Sequence, residues 1–303
     1  MTFNRRILVT GASGLIGGCA AKALHEKKYE VVGLYRQLGL GEASLPWQVI
    51  QCDLLREDAT QKLNEVDFDL VVHCAAVLPS QLSGGEAQQA ALANRTMDDR
   101  ILDLCLRRGC PVVYTSTVSV YGLRIDTIAT EEDDPKPIGE YASAKAASEA
   151  KMLRALAAGA IILRVSSPYG PGQRRRNVLR IFIERALAGL DLVYHGDGNR
   201  RQDFVSAYDV GNAVVCCASR IKSNGIFNIA SGNSISMRDL AELVVRTVPG
   251  TGSRIIPSGA PDSQEDYRAA FSISKAQTVL GWRPSISLTD GIRSWAQYLK
   301  DKN

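Results

Sequence analysis

The chain is most constrained by a glycine-rich segment near its start, T-G-A-S-G-L-I-G-G at residues 10–18, directly after a short apolar run. The spacing is Gly-x-x-Gly-x-x-Gly. Gly11 permits a tight turn out of a strand, Gly14 lets the backbone approach a pyrophosphate, and Gly17 lets the next helix pack closely on the sheet. The N-terminus of that helix presents unpaired N–H groups and a partial positive charge to phosphates. The predicted dinucleotide contacts of this turn come from Gly11, Ser13, Gly14, Leu15 and Ile16.

Strand and helix patterns alternate through the first 165 residues. Apolar runs predict strands at 6–10, 30–35, 47–52, 69–73, 111–116 and 160–165, and helical patterns cover 15–28, 87–108 and 141–158. This alternation is typical of βαβ units on a parallel sheet that is covered on both faces. The predicted fold class is α/β, a Rossmann-type doubly wound parallel sheet with a smaller, mostly C-terminal substrate-binding lobe.

The second half is less regular and is expected to build the smaller lobe. Helices are predicted near 176–188, 208–220, 237–247 and 288–300, with Gly-, Pro- and Ser-rich loops at 168–173, 195–199 and 249–261. We expect a dinucleotide-binding domain at 1–166, with a return segment near 203–230, and a substrate-binding lobe at 167–202 and 231–303.

Composition excludes several classes of protein. The 303 residues are 45% hydrophobic and 22% charged, which is globular rather than disordered. No apolar run reaches the ~18 residues of a membrane span, and the N-terminus does not resemble a secretory signal. Seven cysteines without a Cys-x-x-Cys pair, and three histidines that do not cluster with them, predict reduced thiols, a cytoplasmic protein and no metal site.

The charge is distributed unevenly along the chain. The net charge of +4 is too small to indicate nucleic-acid binding. Residues 1–150 hold 15 Lys and Arg against 20 Asp and Glu, whereas residues 151–303 hold 21 against 12. The basic second half indicates either an anionic ligand there or a solvated basic face.

The end of the second predicted strand bears on the choice of cofactor. NAD sites usually place Asp or Glu at this point to hold the ribose 2′-hydroxyl. This chain has Tyr35 and Arg36 instead. A guanidinium suits a 2′-phosphate and stacks on adenine, so Arg36 favours NADP(H). NAD(H) stays open as the alternative, with Arg36 as a surface residue.

Three side chains suggest proton transfer. Tyr141 and Lys145 are four residues apart at the start of a predicted helix, so they share one face. An ammonium near a phenol stabilises the phenolate and lowers the pKa of the tyrosine, which suits it to acid/base work. Thr117 lies where the fifth predicted strand ends, at the edge of a parallel sheet that faces ligands, and is expected to hydrogen-bond the reacting oxygen.

Together these segments resemble the extended short-chain dehydrogenases/reductases, in particular the nucleotide-sugar epimerase/dehydratase family, over nearly the whole chain. The resemblance rests on the glycine turn, C-D-L at 52–54, V-V-H-C-A-A at 71–76, Asn94, T-S-T-V-S-V-Y-G at 115–122, Y-A-S-A-K at 141–145, R-V-S-S-P-Y-G-P-G at 164–172, G-D-G at 196–198, D-F-V-S-A-Y-D-V at 203–210 and L-G-W-R-P at 280–284.

The resemblance implies roles for further residues. Asp53 and Leu54 would flank adenine, and Cys74, Ala75 and Ala76 would line the cofactor path. Asn94 would support the cofactor or the active-site helix, Lys145 would also bind the nicotinamide ribose, and Pro168 would lie near the nicotinamide. The expected substrate contacts are Leu78, Thr117, Ser119, Ser167, Arg175 and Asn177. The family commonly forms homodimers through the two long helices, here 87–108 and 141–158.

The chain departs from the family pattern where substrates are expected. Val118 and Ser119 replace the acidic pair of the 4,6-dehydratases, which argues against dehydration, and a fucose-synthase-like enzyme would carry cysteine at 119. Gln202 and, approximately, Asp262 stand where the family has phosphate-binding arginines. Ser167 replaces an asparagine, whereas Asn177 matches the pattern. The arginines near these positions that offer other anion contacts are Arg174, Arg175, Arg176, Arg180, Arg200, Arg201 and Arg268.

Four functions remain, in decreasing order of support. The first is an NADPH-dependent ketoreductase on a nucleotide-linked keto-sugar, with Tyr141 as general acid/base. The second is an NAD-dependent nucleotide-sugar 4-epimerase that uses the same residues. The third is a reductase of a small carbonyl compound without a nucleotide, and the last is a non-catalytic NADP-binding sensor.

Overall fold

The computed structural model describes residues 5–38, 44–123, 127–221 and 223–302. Seven parallel strands form one sheet in the order β3-β2-β1-β4-β5-β6-β10. Their bounds are β1 Arg6–Thr10, β2 Glu30–Tyr35, β3 Gln48–Gln51, β4 Leu70–His73, β5 Val112–Thr117, β6 Ala160–Val165 and β10 Gly225–Ile229. The predicted doubly wound α/β fold is confirmed. The strand order reverses between β1 and β4, and ligands of such sheets bind at this crevice.

Helices cover both faces of the sheet, because its strands are apolar on both sides. On one face α1 (Leu15–Glu26) and α6 (Ala207–Ser219) pack together over Val9 and Val72. On the other face lie α2 (Ala59–Asn64), α3 (Gly85–Arg108) and α4 (Glu140–Ala155). This second layer carries the predicted Tyr141–Lys145 motif to the carboxyl end of β5.

The remaining elements form a separate hydrophobic core around Phe182, Leu240 and Trp295. Its helices are α5 Val178–Leu187, α7 Met237–Thr247 and α8 Leu288–Lys302. Its strands are β7 Ser167–Tyr169, β8 Leu192–Tyr194, β9 Arg201–Ser206, β11 Ser234–Ser236 and β12 Ile255–Pro257, arranged as sheets β11-β9-β7 and β12-β8. The division of the chain into two domains stays a prediction.

Several element boundaries differ from the sequence prediction. The predicted helix 15–28 ends at Glu26, because Lys28 adopts a left-handed backbone with φ 67°. The predicted helix 141–158 ends at Ala155, because Leu156 is extended. The loop predicted at 168–173 overlaps the three-residue strand β7, and the loop predicted at 249–261 contains the three-residue strand β12. Their partners β9 and β8 lie far away in sequence, so no local pattern indicates them.

The seven cysteines lie in the described residues as free thiols. No group of three or more metal-binding side chains occurs within the described ranges. In the same part of the chain, no helix combines the length and the apolar character that crossing a bilayer requires.

Candidate functional site

The glycine turn lies between β1 and α1, at the crevice where the strand order reverses. Gly11 has φ +65°, and a Cβ on it would stand 2.7 Å from the backbone nitrogen of Ala75. A Cβ on Gly17 would stand 2.2 Å from the carbonyl oxygen of Gly11. Both positions therefore require glycine, one to bring the turn against the loop after β4 and one to bring α1 onto the turn.

The first turn of α1 fits a pyrophosphate. Gly14 is the N-cap, no side chain caps it, and no acidic residue stands in the first turn. Ser13 and Gly14 are exposed, and Leu15 and Ile16 are half-buried. Backbone N–H groups at such a helix start bind phosphate oxygens.

The loops after β2 and β3 place the predicted adenine-side residues. Arg36 follows β2 directly and is exposed. The Asp53 carboxylate accepts a hydrogen bond of 3.0 Å from the backbone N–H of Leu55, so it orders its own loop. Leu54 belongs to the hydrophobic core between the sheet and α3, with 4% exposure. Its buried side chain therefore anchors this loop to the hydrophobic core.

The side chain of Asn94 on α3 connects this helix to the loop after β4 by two hydrogen bonds. It is fully buried, and its side chain accepts from the Val77 N–H and donates to the Val77 carbonyl, both at 2.8 Å. These two bonds hold the segment that contains Cys74, Ala75 and Ala76. In this structure Asn94 therefore supports the site through the backbone.

The carboxyl end of β5 and the start of α4 bring the predicted proton-transfer residues to one edge of the sheet. Thr117 ends β5, where its hydroxyl accepts from the Ser119 N–H and donates to the Ser119 Oγ, each at 3.1 Å. Tyr141 stands in the first turn of α4 and is partly exposed. One turn later Lys145 is buried, and its Nζ donates to the carbonyl of Thr115 at 3.2 Å.

Lys145 lies beside a buried carboxylate that the motifs do not indicate. Its Nζ is 4.0 Å from Oδ1 of Asp98 on α3 and 4.3 Å from the ring centroid of Tyr114 on β5. Asp98 is 1% exposed and also accepts hydrogen bonds from Tyr114 OH at 2.6 Å and from His73 Nε2 at 3.0 Å. These partners hold the pKa of Asp98 well below its usual range despite burial.

The hydrogen bonds assign the tautomer of His73. Thr10 Oγ1 accepts from the backbone N–H groups of Cys74 and Ala75, both at 3.2 Å, so its own proton is available for His73 Nδ1 at 2.6 Å. His73 Nδ1 is then an acceptor, and the ring proton lies on Nε2, facing Asp98. Burial lowers the pKa of His73, which agrees with a neutral ring.

The surroundings of Tyr141 in this structure raise its pKa, and the expectation that Lys145 lowers it stays a prediction. Burial, together with the Asp98 carboxylate, raises the pKa of Tyr141 above its ordinary value, and the Arg175 guanidinium opposes this rise. The Lys145 ammonium itself lies 4.0 Å from the Asp98 carboxylate.

Two residues that depart from the family pattern contact each other. The side-chain amide of Gln202 on β9 donates to the hydroxyl of Ser167 on β7. Pro168, the next residue on β7, is half-buried. Asn177 caps α5, with its side-chain oxygen accepting from the Arg180 N–H at 2.9 Å.

The nearby arginines differ in the ion pairs and hydrogen bonds that they already make within the protein. Arg200 forms an ion pair with Asp262 at 2.8 Å, so the carboxylate at the expected arginine position neutralises the neighbouring cation. Arg176 and Arg180 both pair with Glu184, at 2.8 and 2.7 Å. Two further arginines, Arg201 and Arg268, bond to Ser234 and to backbone carbonyls of 265 and 267.

The positive charge of Arg175 acts on Tyr141 and opposes the rise of its pKa. Arg175 is exposed, and its Nη2 donates to the carbonyl of Pro79 at 2.7 Å, next to the exposed Leu78 in the loop after β4. A guanidinium that spans the crevice in this way leaves other N–H groups for an anionic ligand.

Sequence reasoning missed the buried cluster of Thr10, His73, Asp98 and Tyr114. One signal was present: Asp98 follows Asn94 by four residues, on the face of the helix that turns toward the sheet. A carboxylate on such a face needs a buried partner.

Comparisons with known proteins agree with this fold. A family model described as "NAD dependent epimerase/dehydratase family" matches residues 7–230. The UDP-glucose 4-epimerase of Mycolicibacterium smegmatis is 29% identical, over 98% of this chain and 99% of its own. The dTDP-6-deoxy-L-talose 4-dehydrogenase (NAD(P)(+)) of Kitasatospora kifunensis is 26% identical, over 96% of this chain and 95% of its own. The solved UDP-glucose 4-epimerase of Thermus thermophilus in complex with NAD superposes with a TM-score of 0.86. The two chains are 26% identical, and the match covers 97% of this chain and 99% of the other.

Proposed function

Since the chain belongs to the NAD-dependent epimerase/dehydratase family, we propose that it is an NADP(H)-dependent ketoreductase acting on a nucleotide-linked keto-sugar. Its membership makes it an enzyme of the short-chain dehydrogenase/reductase type that binds NAD(P). The observation that carries the finer proposal is Arg36, an exposed guanidinium directly after β2, where a carboxylate would select NAD.

The residues present fit a dinucleotide. The uncapped start of α1 and the glycine turn would hold the pyrophosphate, and Arg36 would pair with the 2′-phosphate in a charge-assisted fork. Lys145 would bond the nicotinamide ribose. The chemistry that NADPH supplies when bound is hydride transfer to a carbonyl carbon.

The chain's own residues handle the proton. Tyr141 stays protonated at neutral pH because its pKa is raised, so it is suited to donate a proton to the alkoxide that hydride addition leaves. Thr117 would orient the same oxygen through its hydroxyl. A raised pKa keeps the phenol in its protonated form, which is the form that a reduction requires at its start.

The substrate's charge would be bound mainly by Arg175. The positive charge of Arg200 is compensated by the Asp262 carboxylate, and the contact between Gln202 and Ser167 carries no charge. Arg175 is exposed and bridges to the loop after β4. A nucleoside diphosphate would therefore meet fewer free cations on the β9 side of the crevice than on the side of Arg175.

A cofactor titration tests the proposal. Purified protein is stripped of nucleotide, and quenching of its fluorescence gives Kd values for NADPH and NADH. We expect tighter NADPH binding, and Arg36→Gln should weaken NADPH at least about tenfold with little change for NADH, because one charge-assisted contact is lost. Arg246→Gln, an exposed arginine on α7, is the matched control. Equal affinities for the two cofactors would reject NADP(H) selectivity.

Turnover separates the candidate reactions. A reductase consumes NADPH in proportion to product when given a dTDP-linked 4-keto-6-deoxy sugar. The second candidate, a UDP-glucose 4-epimerase, is favoured by the similarity to the Mycolicibacterium enzyme and would interconvert UDP-sugars with no net cofactor consumption. Failure of UDP and dTDP to compete with substrate would favour the third candidate, a reductase of a small carbonyl compound, which the compensated Arg200 supports.

Homodimerisation through α3 and α4 is part of the same proposal. The apolar side chain of Leu92 on α3 is 65% exposed, which a helix-pair interface would cover. Sedimentation of the native chain and of Leu92→Glu tests this, and we expect a dimer for the first and a monomer for the second. A cytoplasmic location stays a prediction.

A further inference from the structure

We propose that Cys105 and Cys110 form a reversible oxidation site, at which a peroxide converts the two thiols into one disulfide. The pair lies where α3 ends and the chain turns toward β5. This is the amino end of β5, whereas Thr117 and the candidate active site lie at its carboxyl end. The inference is therefore independent of the reaction proposed above.

The backbone brings the two cysteines together. Gly109 ends α3 in the left-handed conformation, with φ 61°. The Cys110 N–H donates to the Cys105 carbonyl at 3.1 Å, and the Gly109 N–H donates to the Leu106 carbonyl at 3.4 Å. These two bonds form a Schellman motif, in which the side chains at the positions of Cys105 and Cys110 commonly touch. The first bond also keeps the two Cα atoms within about 7 Å, as a disulfide requires.

The side chains of the pair are in direct contact. The thiol of Cys105 donates a hydrogen bond to the sulfur of Cys110. Both side chains belong to the hydrophobic core between the sheet and α3, Cys105 with 0% exposure and Cys110 with 5%. A disulfide can therefore form here with little movement of the backbone, and Cys110 is the sulfur nearer to solvent.

The two sulfurs differ in how easily they ionise. The hydrogen bond from Cys105 and the positive charge of Arg108 lower the pKa of Cys110, against the effects of burial and of Asp69. Arg108 is held beside the turn, where its Nη2 donates to the Asn64 carbonyl at 2.7 Å. The same thiol hydrogen bond, together with burial, raises the pKa of Cys105. Cys110 is therefore the attacking thiolate and Cys105 the resolving thiol.

The reaction consumes one molecule of hydrogen peroxide for each pair. The Cys110 thiolate attacks one peroxide oxygen, the O–O bond breaks, and the departing hydroxide takes up a proton to become water. The sulfur of Cys105 then attacks the sulfenic acid on Cys110, the S–O bond breaks, and the thiol proton leaves with the second water. Both sulfurs are oxidised and the peroxide is reduced. A dithiol reverses the change by thiol–disulfide exchange.

Trypsin makes a direct test possible, because it cleaves after Arg107 and Arg108, between the two cysteines. The folded native chain is treated with hydrogen peroxide, and the remaining thiols are blocked with N-ethylmaleimide in denaturant. The digest is then analysed by mass spectrometry without reduction. We expect peptide 101–107 to be linked to peptide 109–124, and dithiothreitol to separate them.

Two kinds of control accompany this measurement. Cys216 and Cys217 are neighbours on α6, where adjacent side chains point to different sides of the helix, so no disulfide should join them. In Cys105→Ser the sulfenic acid on Cys110 has no resolving thiol, so dimedone should label peptide 109–124. In Cys110→Ser, dimedone should leave Cys105 unlabelled. Circular dichroism checks that both variants fold.

The outcome on the native chain decides the proposal whether or not the variants fold. It is overturned if no linked peptide forms at a peroxide concentration that oxidises the more exposed Cys216, or if the link forms only after unfolding in urea. Labelling of Cys105 in Cys110→Ser, without labelling of Cys110 in Cys105→Ser, would overturn the assigned order of attack.

Discussion

Glu149→Gln tests whether the helix that carries Tyr141 and Lys145 is held by a buried ion pair. Glu149 lies on α4 one turn after Lys145, with 2% exposure. It accepts from Arg164 on β6 through Nη2 at 2.7 Å and Nε at 3.1 Å, and also from the Ser116 hydroxyl on β5. The pair therefore joins α4 to the two strands beside the site.

The cost of this change follows from what it leaves behind. Glutamine has nearly the same volume as glutamate, so no cavity forms. The Arg164 guanidinium, 1% exposed, stays charged and loses its counter-ion. Breaking a buried pair by removing one partner costs about 3–5 kcal/mol, because the remaining charge is uncompensated. We expect a loss of about 3 kcal/mol, at the low end, since the glutamine oxygen still accepts one hydrogen bond.

Urea unfolding followed by circular dichroism measures the free energy of unfolding. The matched control is Lys151→Gln on the same helix, which breaks an exposed pair with Asp99 at 2.7 Å and should cost less than about 1 kcal/mol. The double variant Glu149→Leu with Arg164→Met should be more stable than Glu149→Gln, because no buried charge remains unpaired. The reasoning is refuted if Glu149→Gln costs no more than Lys151→Gln, or if the double variant is the less stable of the two.

Three further outcomes are expected. Gly17→Ala would place a Cβ 2.2 Å from the Gly11 carbonyl and should displace α1, so NADPH binding measured by fluorescence weakens while the fold persists. Gly291→Ala would meet the buried Tyr169 hydroxyl at 2.0 Å and should cost about 1–3 kcal/mol in urea unfolding, as overpacking does. The pKa of His73 is lowered in the folded state, so the unfolded chain binds its proton first. The free energy of unfolding should therefore fall as pH drops below about 6.5, by up to about 1.4 kcal/mol per unit, and His73→Gln should flatten that slope.

The sequence alone was sufficient for features whose physics is local or periodic. The turn at 10–18 can be recognised from the sequence because a Cβ at Gly11 or at Gly17 would collide with neighbouring backbone, and glycine readily adopts the positive φ of Gly11. Apolar runs separated by helical patterns indicated the central strands, because a strand buried on both faces has few polar positions. The four-residue spacing of Tyr141 and Lys145 indicated one helix face, and α4 does carry both.

Only the tertiary structure decided which groups meet across the sheet. Asp98 and Lys145 are far apart in sequence, yet their charges are 4.0 Å apart, and burial together with the Asp98 carboxylate raises the pKa of Tyr141. Gln202 bonds to Ser167 across two short strands that no local pattern indicates. The interaction of two charges depends on their distance and on how far water is excluded, and both quantities arise only when separate elements pack. A spacing in the sequence therefore determined which residues share an element, whereas the fold determined their protonation and their partners.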